Sequence, residues 1–317
     1  MLKRLLSVLA VCAASFTGGA TAYAQDAFPS DTITIIVQYG AGGGTDNFVR
    51  ALEAPLEKAF GVDVAIKNIA GGGGAVGMAQ ALAAKPDGYT VTIPNNAFYT
   101  LIGMGNVNFK LNDFDYIAAL VLEPYVLTLA RSDRWTDLES FVKVAKEEPV
   151  KLGFSGVGSS THIMTMAIAQ ALDIKVQFVP YGGGSEASAA ALGGHIDGVV
   201  LSPSDVVSAI EGEKGLLPVA ATGTSSLLPM VPTFTSSNYD LTIQQWRGIA
   251  GPAGIPEDAK KKWQEALEQA IQDPAFRKAA ENLGTEVLPI FGDELQEFVK
   301  AGSDVMIPLT EQVAKQQ

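Results

Sequence analysis

Between positions 33 and 37 the chain runs Ile-Thr-Ile-Ile-Val. It then breaks at Gln38-Tyr39-Gly40-Ala41-Gly42-Gly43-Gly44 and resumes at Thr45-Asp46, ahead of apolar residues spaced three or four apart. β-Branched residues, then glycines, then N-cap residue types predict a strand, a tight loop and a helix capped by Thr45-Asp46. The helix is expected over 47–60, with Phe48, Leu52, Leu56 and Ala59 on one stripe, Gly61 as its stop and a kink at Pro55. A strand over 62–67 leads into Gly71-Gly72-Gly73-Gly74 and a small-residue helix over 75–84. After the turn Lys85-Pro86-Asp87-Gly88 comes a third strand over 89–93, ending in Pro94-Asn95-Asn96. Strand, loop and helix repeated in this order predict a parallel sheet with helices on its faces.

The same plan returns further on. Two strands fall within 116–130, broken at Glu123-Pro124, and a helix over 138–146 follows. A strand over 151–154 enters Ser155-Gly156-Val157-Gly158-Ser159-Ser160-Thr161 before a helix over 163–172. A strand over 175–179 enters Pro180-Tyr181-Gly182-Gly183-Gly184-Ser185 before a helix over 186–192. Strands at 199–201 and 217–221 complete this region. From Trp246 the pattern is a short strand, helices to 272 and over 274–283, a strand near Val287, and a final helix that Pro308 kinks or splits. The expected architecture is α/β with two lobes. Residues 25–128 and 246–317 form lobe 1, with the first glycine loop and the terminal helices. Residues 129–245 form lobe 2, with the second and third glycine loops.

The first 24 residues read as a cleaved secretory signal. Lys3 and Arg4 start it, an apolar stretch follows, and Ala22-Tyr23-Ala24 is the small-residue cleavage site. The apolar stretch is shorter than the roughly 20 residues of a membrane span. Cleavage after Ala24 would remove Cys12, the only cysteine, and with it disulfide, thiolate and zinc–cysteine chemistry. Losing two basic residues would take the net charge from −12 to −14, which makes nucleic acid a poor partner.

Each of the three glycine loops follows a strand and precedes a helix, where open α/β sheets place their ligands. A helix start offers unpaired N–H groups at the positive end of its dipole, a site for an anion. A dinucleotide fingerprint is not met, because Thr45 stands where the third glycine belongs and no acid ends the second strand. No Gly-Lys-Ser/Thr follows for a P-loop, and there is no G-x-S-x-G elbow. No arginine lies in the glycine loops, so charge recognition is expected from backbone N–H groups and hydroxyls, without a guanidinium. No cofactor, metal or catalytic residue is assigned.

Several motifs in order carry a resemblance across nearly the whole chain. They are Gly42-Gly43-Gly44-Thr45-Asp46, Asn68 before Gly71 to Gly74, Pro86-Asp87-Gly88-Tyr89-Thr90 and Ser155 to His162. Further on come Pro180-Tyr181-Gly182-Gly183, Gly193-Gly194-His195-Ile196-Asp197, Pro229 to Thr233, and Trp246 with Pro252 to Pro256. Together they resemble the Bug-type periplasmic solute-binding proteins of tripartite tricarboxylate transporters. The resemblance implies a two-lobe flytrap, a sheet flanked by helices in each lobe, that captures a small organic carboxylate and delivers it to a membrane permease. It implies that Tyr39, Ala41, Gly42, Gly43, Gly44, Thr45 and Asp46 hold one carboxylate, with Asn95 and Asn96 beside them. Ser155, Gly156, Gly158, Ser159, Ser160, His162, Tyr181, Gly182, Gly183 and Gly184 would face it from lobe 2. The ligand could be a di- or tricarboxylate, an amino acid or an aromatic acid, bound by a periplasmic monomer. Gln38, Pro55 and Ile69-Ala70 depart from the family pattern beside the pocket. Two alternatives stay open: a secreted hydrolase using Ser159 or Ser160 with His162, and a ligand-sensing subunit of a signalling system.

Overall fold

The computed structural model describes residues 28–212 and 214–315. The secretory signal, its cleavage site and Cys12 lie outside the described residues.

The chain opens with β1 (Ile33–Val37), α1 (Gly44–Phe60), β2 (Val64–Asn68), α2 (Ala75–Leu82), β3 (Thr90–Thr92), α3 (Ala97–Gly103) and β4 (Phe114–Pro124). Tyr125 alone separates β4 from β5 (Val126–Leu129). Next come α4 (Leu138–Glu147), β6 (Val150–Phe154), α5 (Ser160–Leu172), β7 (Val176–Pro180), α6 (Gly184–Leu192), β8 (Gly198–Leu201), the single turn α7 (Pro203–Val206) and β9 (Leu217–Ala221). The chain closes with β10 (Gln244–Pro252), α8 (Glu257–Ala270), α9 (Pro274–Leu283), β11 (Glu286–Ile290) and α10 (Gly292–Ala314).

Two sheets result. The first has the order β11-β4-β10-β3-β1-β2, the second β7-β6-β8-β5-β9. β1 pairs in parallel with β2 and β3, and β6 with β7 and β8, as strand–loop–helix repeats require. The strands that carry the chain between sheets are antiparallel: β10 lies between β3 and β4, and β5 between β8 and β9. The two crossings are tied to each other. The Tyr125 N–H donates to Thr222 Oγ1 over 2.9 Å, and the Thr222 N–H donates to the Tyr125 carbonyl.

Each sheet has its own core. In the first, Ile33, Ile35, Phe48, Leu52 and Trp263 pack on one face, while Phe98, Tyr99, Trp246 and Leu295 pack on the other. In the second, Leu127, Trp135, Phe141, Leu152, Ile168 and Phe234 are buried together. The end of α10 reaches the second lobe, where Val313 packs on Ile163 and Met166.

Several local expectations change. α1 begins at Gly44, with Gly43 as its N-cap and no side-chain cap. Asp46 sits inside the first turn and accepts from the Gly42 N–H at 2.8 Å, so its carboxylate braces the loop behind the cap. α1 is continuous through Pro55 and α10 through Pro308. β10 is nine residues long, paired along its whole length with β4 and at Ala250 with β3. The helical turns α3 and α7 carry no strong periodicity and were not expected. β5 belongs to the second sheet, so the chain changes sheets at Tyr125 and not after residue 128.

Candidate functional site

Three helix starts converge on one space between the sheets. The N-termini of α1, α5 and α6 bring Gly43, Gly44 and Thr45, then Ser160 and Thr161, then Gly184 to a single cavity. Tyr39, Ser155, Asp205 and Gln245 complete its lining. Three positive dipole ends make this an environment for negative charge. The lobes touch around it. Ser185 Oγ donates to the Ala41 carbonyl at 3.3 Å, and Thr100 Oγ1 to the Gly158 carbonyl at 2.7 Å. What is left between them is a cavity of about 20 Å3. That is room for about one water.

The charged side chains come from outside the glycine loops. Arg247 of β10 is fully buried and forms an ion pair with Glu123 of β4. Its Nε donates to Thr45 Oγ1 at 3.1 Å and Nη2 to Ser202 Oγ at 3.4 Å. Glu123 also accepts from Ser204 Oγ at 2.7 Å. Burial pulls the Arg247 guanidinium down to about 10, which still leaves it charged at neutral pH. Asp205 of α7 reaches across the cleft, and its Oδ1 accepts from the Gly44 N–H at 2.5 Å. Burial pushes the Asp205 carboxyl up, against hydrogen bonds from Gly44 and Ser202 that pull it down. Gln245 organises the floor: Oε1 accepts from Tyr125 Oη (2.9 Å) and Ser160 Oγ (2.7 Å), while Nε2 donates to Ser202 Oγ. Burial pushes the Tyr39 phenol up to about 12, so it stays neutral.

The residues named from the sequence divide into two groups. Tyr39, Gly43, Gly44, Thr45, Ser155, Ser160 and Gly184 line the cavity. The others stand around it and hold its walls. Asp46 is tied to Gly42, Arg50 and Asn68. Burial pulls its carboxyl up, but those three partners outweigh it and hold the group below the usual range. Asn95 donates to Tyr39 Oη and accepts from the Ala97 N–H. Asn96 donates to Tyr125 Oη and the Gln244 carbonyl. Gly156 and Gly158 take left-handed φ values of +97° and +85°. Ala41 offers its carbonyl to Ser185, and the Gly182 N–H is taken by Glu186. Gly183 caps α6 in extended backbone, and Tyr181 packs in the cluster around Ile196 and Val199.

His162 and Ser159 do not form a catalytic pair. Ser159 Oγ caps α5 by accepting from the His162 N–H. The His162 ring stacks on Phe154 at 4.4 Å, and its Nδ1 accepts from the Gly158 N–H at 3.3 Å. Burial pulls it down to about 4. The Ser160 hydroxyl points to Gln245. Neither serine is hydrogen-bonded to a basic nitrogen, as an activated nucleophile requires.

Thr161, Asp205, Gln245, Glu123 and Arg247 were missed. A signal existed for two of them: a charged residue within an apolar strand, as in Val121-Leu122-Glu123 and Gln245-Trp246-Arg247-Gly248, must find a buried partner. The cavity lining carries no guanidinium; Arg247 stands behind it, bonded to Thr45 Oγ1. Its ion-pair partner there is Glu123.

Comparison with known proteins shows the family and the fold. The family profile described as "Tripartite tricarboxylate transporter family receptor" matches residues 48–313. An Agrobacterium vitis protein from the ttuE–ttuC' intergenic region is 29% identical over 272 residues, covering 83% of this chain and 78% of its own. The structure of the periplasmic binding protein BugD superposes with a TM-score of 0.85 at 24% identity, covering 90% of this chain and 98% of BugD. MatC from Rhodopseudomonas palustris, with bound malate, gives 0.80 at 23% identity over 90% of this chain and all of its own. Since the profile spans most of the sequence and the two-lobe fold recurs in these proteins, the chain belongs to the tripartite tricarboxylate transporter receptor family.

Proposed function

We propose that the protein is an extracytoplasmic solute receptor that holds a small organic carboxylate between its lobes and delivers it to the membrane subunits of a tripartite tricarboxylate-type transporter. A receptor binds its solute without converting it, so no catalytic role is assigned. The proposed site is the cavity lining: a ligand carboxylate takes the N–H groups of Gly43, Gly44 and Thr45, and Ser155, Ser160, Thr161 and Gly184 face it from the second lobe. Export to the periplasm, with cleavage after Ala24, is part of the same reading.

One observation carries it. The α1 N-terminus already binds a carboxylate, that of Asp205, through the Gly44 N–H. Hydrogen bonds to a charged group contribute about 1.5–3 kcal/mol each. Three or four of them reach the roughly −8 kcal/mol of micromolar affinity after ordering costs. The malate held by MatC is an acid of this class. With room for about one water, the cleft must part to admit such a solute, so binding and lobe closure are coupled.

A thermal-shift screen of refolded mature protein tests this. Its panel holds mono-, di- and tricarboxylates, amino acids and aromatic acids, with sugars, phosphate and nucleotides as controls. A ligand at about 1,000 times its dissociation constant adds roughly 4 kcal/mol, a shift of several degrees. A shift confined to a few carboxylates is the expected result. A response to sugars or nucleotides without any to carboxylates overturns the reading.

A further inference from the structure

Two carboxylates, Glu123 and the cavity-lining Asp205, share one buried guanidinium, that of Arg247. Glu123 takes Arg247 as its ion-pair partner, whereas Asp205 stands 3.9 Å from Nη2, with its side chain 10% exposed. Among the described residues, Asp205 is therefore a largely buried carboxylate held by N–H and O–H donors, and its ion-pair partner, Arg247 at 3.9 Å, is shared with Glu123. The other ionisable groups facing it leave this unchanged: Tyr39 after β1 is neutral, and Glu123 on β4 is itself an acid. The fold is shaped around this side chain. A Cβ at Gly184 would collide with the Asp205 carboxylate, and one at Gly43 would lie 3.3 Å from Oδ1. The Asp205 carbonyl is held by Ser188 Oγ at 3.0 Å.

A plain carboxylate placed on the α1 N-terminus would come to rest beside Asp205, two like charges in a narrow cavity with room for about one water. Such a pair is unfavourable, and more so as the dielectric falls. A protonated nitrogen next to the ligand's carboxylate removes the conflict: the carboxylate takes the α1 N–H groups and the nitrogen takes Asp205. We infer that Asp205 is a specificity-determining residue that reads a cationic nitrogen adjacent to the ligand's carboxylate, which makes the solute an amino acid or a similar zwitterion. This inference rests on the carboxylate-receptor reading above and narrows it. Dicarboxylates without nitrogen, such as the malate of MatC, are then poor ligands for this chain.

The test is isothermal titration of the refolded mature protein with matched acids. Each pair shares a carbon skeleton and differs in the amino group: aspartate with succinate, glutamate with glutarate, leucine with 4-methylpentanoate, phenylalanine with 3-phenylpropanoate. In at least one pair the amino member should bind tenfold or more tightly than its partner, and Asp205→Asn should bring that ratio close to one. Plain acids that bind as well as or better than their amino counterparts overturn the inference and leave the carboxylate reading standing. Plain acids that bind tenfold more tightly for each unit of falling pH also overturn it, because Asp205 then accepts a proton in place of a cation. Binding of neither member in any pair, with no other carboxylate bound either, overturns both. The wild-type ratios decide the matter even if the variant does not fold.

Discussion

Arg247 and Glu123 close an ion pair between neighbouring strands with side chains only 1% and 0% exposed. Arg247 lies opposite Val121 in the β10–β4 ladder and Glu123 opposite Gln245, so the pair is diagonal across the two strands. Removing one member strands the other's charge in the interior. Arg247→Met should lower stability by about 3–5 kcal/mol, whereas the double change Arg247→Met with Glu123→Leu should recover most of the loss. Urea unfolding of the two variants and the parent checks this. Equal loss in single and double variants would show that Arg247 stabilises through packing and not through its charge.

His162 makes stability depend on pH in a defined window. Its folded value of about 4 lies below the unfolded value near 6.5, so the unfolded chain takes up the proton first. Stability is then full above about 6.5, falls as the pH drops towards 4, and loses roughly 3 kcal/mol in all from this group. Comparing urea midpoints of the parent and His162→Gln at pH 7.5 and 5 isolates the effect. The parent should lose more stability than the variant on acidification.

Gly73 reports on closure without lining the cavity. Its φ is +66°, and an added Cβ would lie 2.5 Å from the Val157 carbonyl oxygen and 2.6 Å from the Ser159 nitrogen in the opposite lobe. Gly73→Ala should therefore hold the lobes apart and weaken solute binding at least tenfold, besides about 1 kcal/mol of backbone cost. Gly61 has a similar φ of +74° with open space around it, so Gly61→Ala should show the backbone cost alone. Calorimetric titration with small-angle scattering separates the two. Equal affinities in both variants would mean that contact at Gly73 plays no part in binding.

Much of the fold was legible because its signals are local. β-Branched runs, glycine loops and turn residues placed the strands and most helices, and β9 and α9 fall where the pattern set them. The glycine loops and their hydroxyls lie at the sheet ends that meet at the cavity, and seven of the named residues line it. What escaped depends on distance in the chain. Asp205 meets Gly44 from 161 positions away, and Arg247 meets Thr45 from 202. No spacing rule records such a contact. His162, named as facing the ligand, does not line the cavity, and its ring stacks on Phe154. The caps misled as well: Asp46 has an N-cap residue's chemistry, but it bonds back to Gly42 from inside the helix.

The central claim is that a carboxylate sits on the N-terminus of α1 between the lobes. A crystal structure of the mature protein with the carboxylate giving the largest thermal shift tests it most directly. The account predicts carboxylate oxygens within hydrogen-bonding distance of the Gly43, Gly44 and Thr45 N–H groups, with Asp205 displaced from Gly44. A bound carboxylate elsewhere on the molecule, with Asp205 still on the Gly44 N–H, would contradict it.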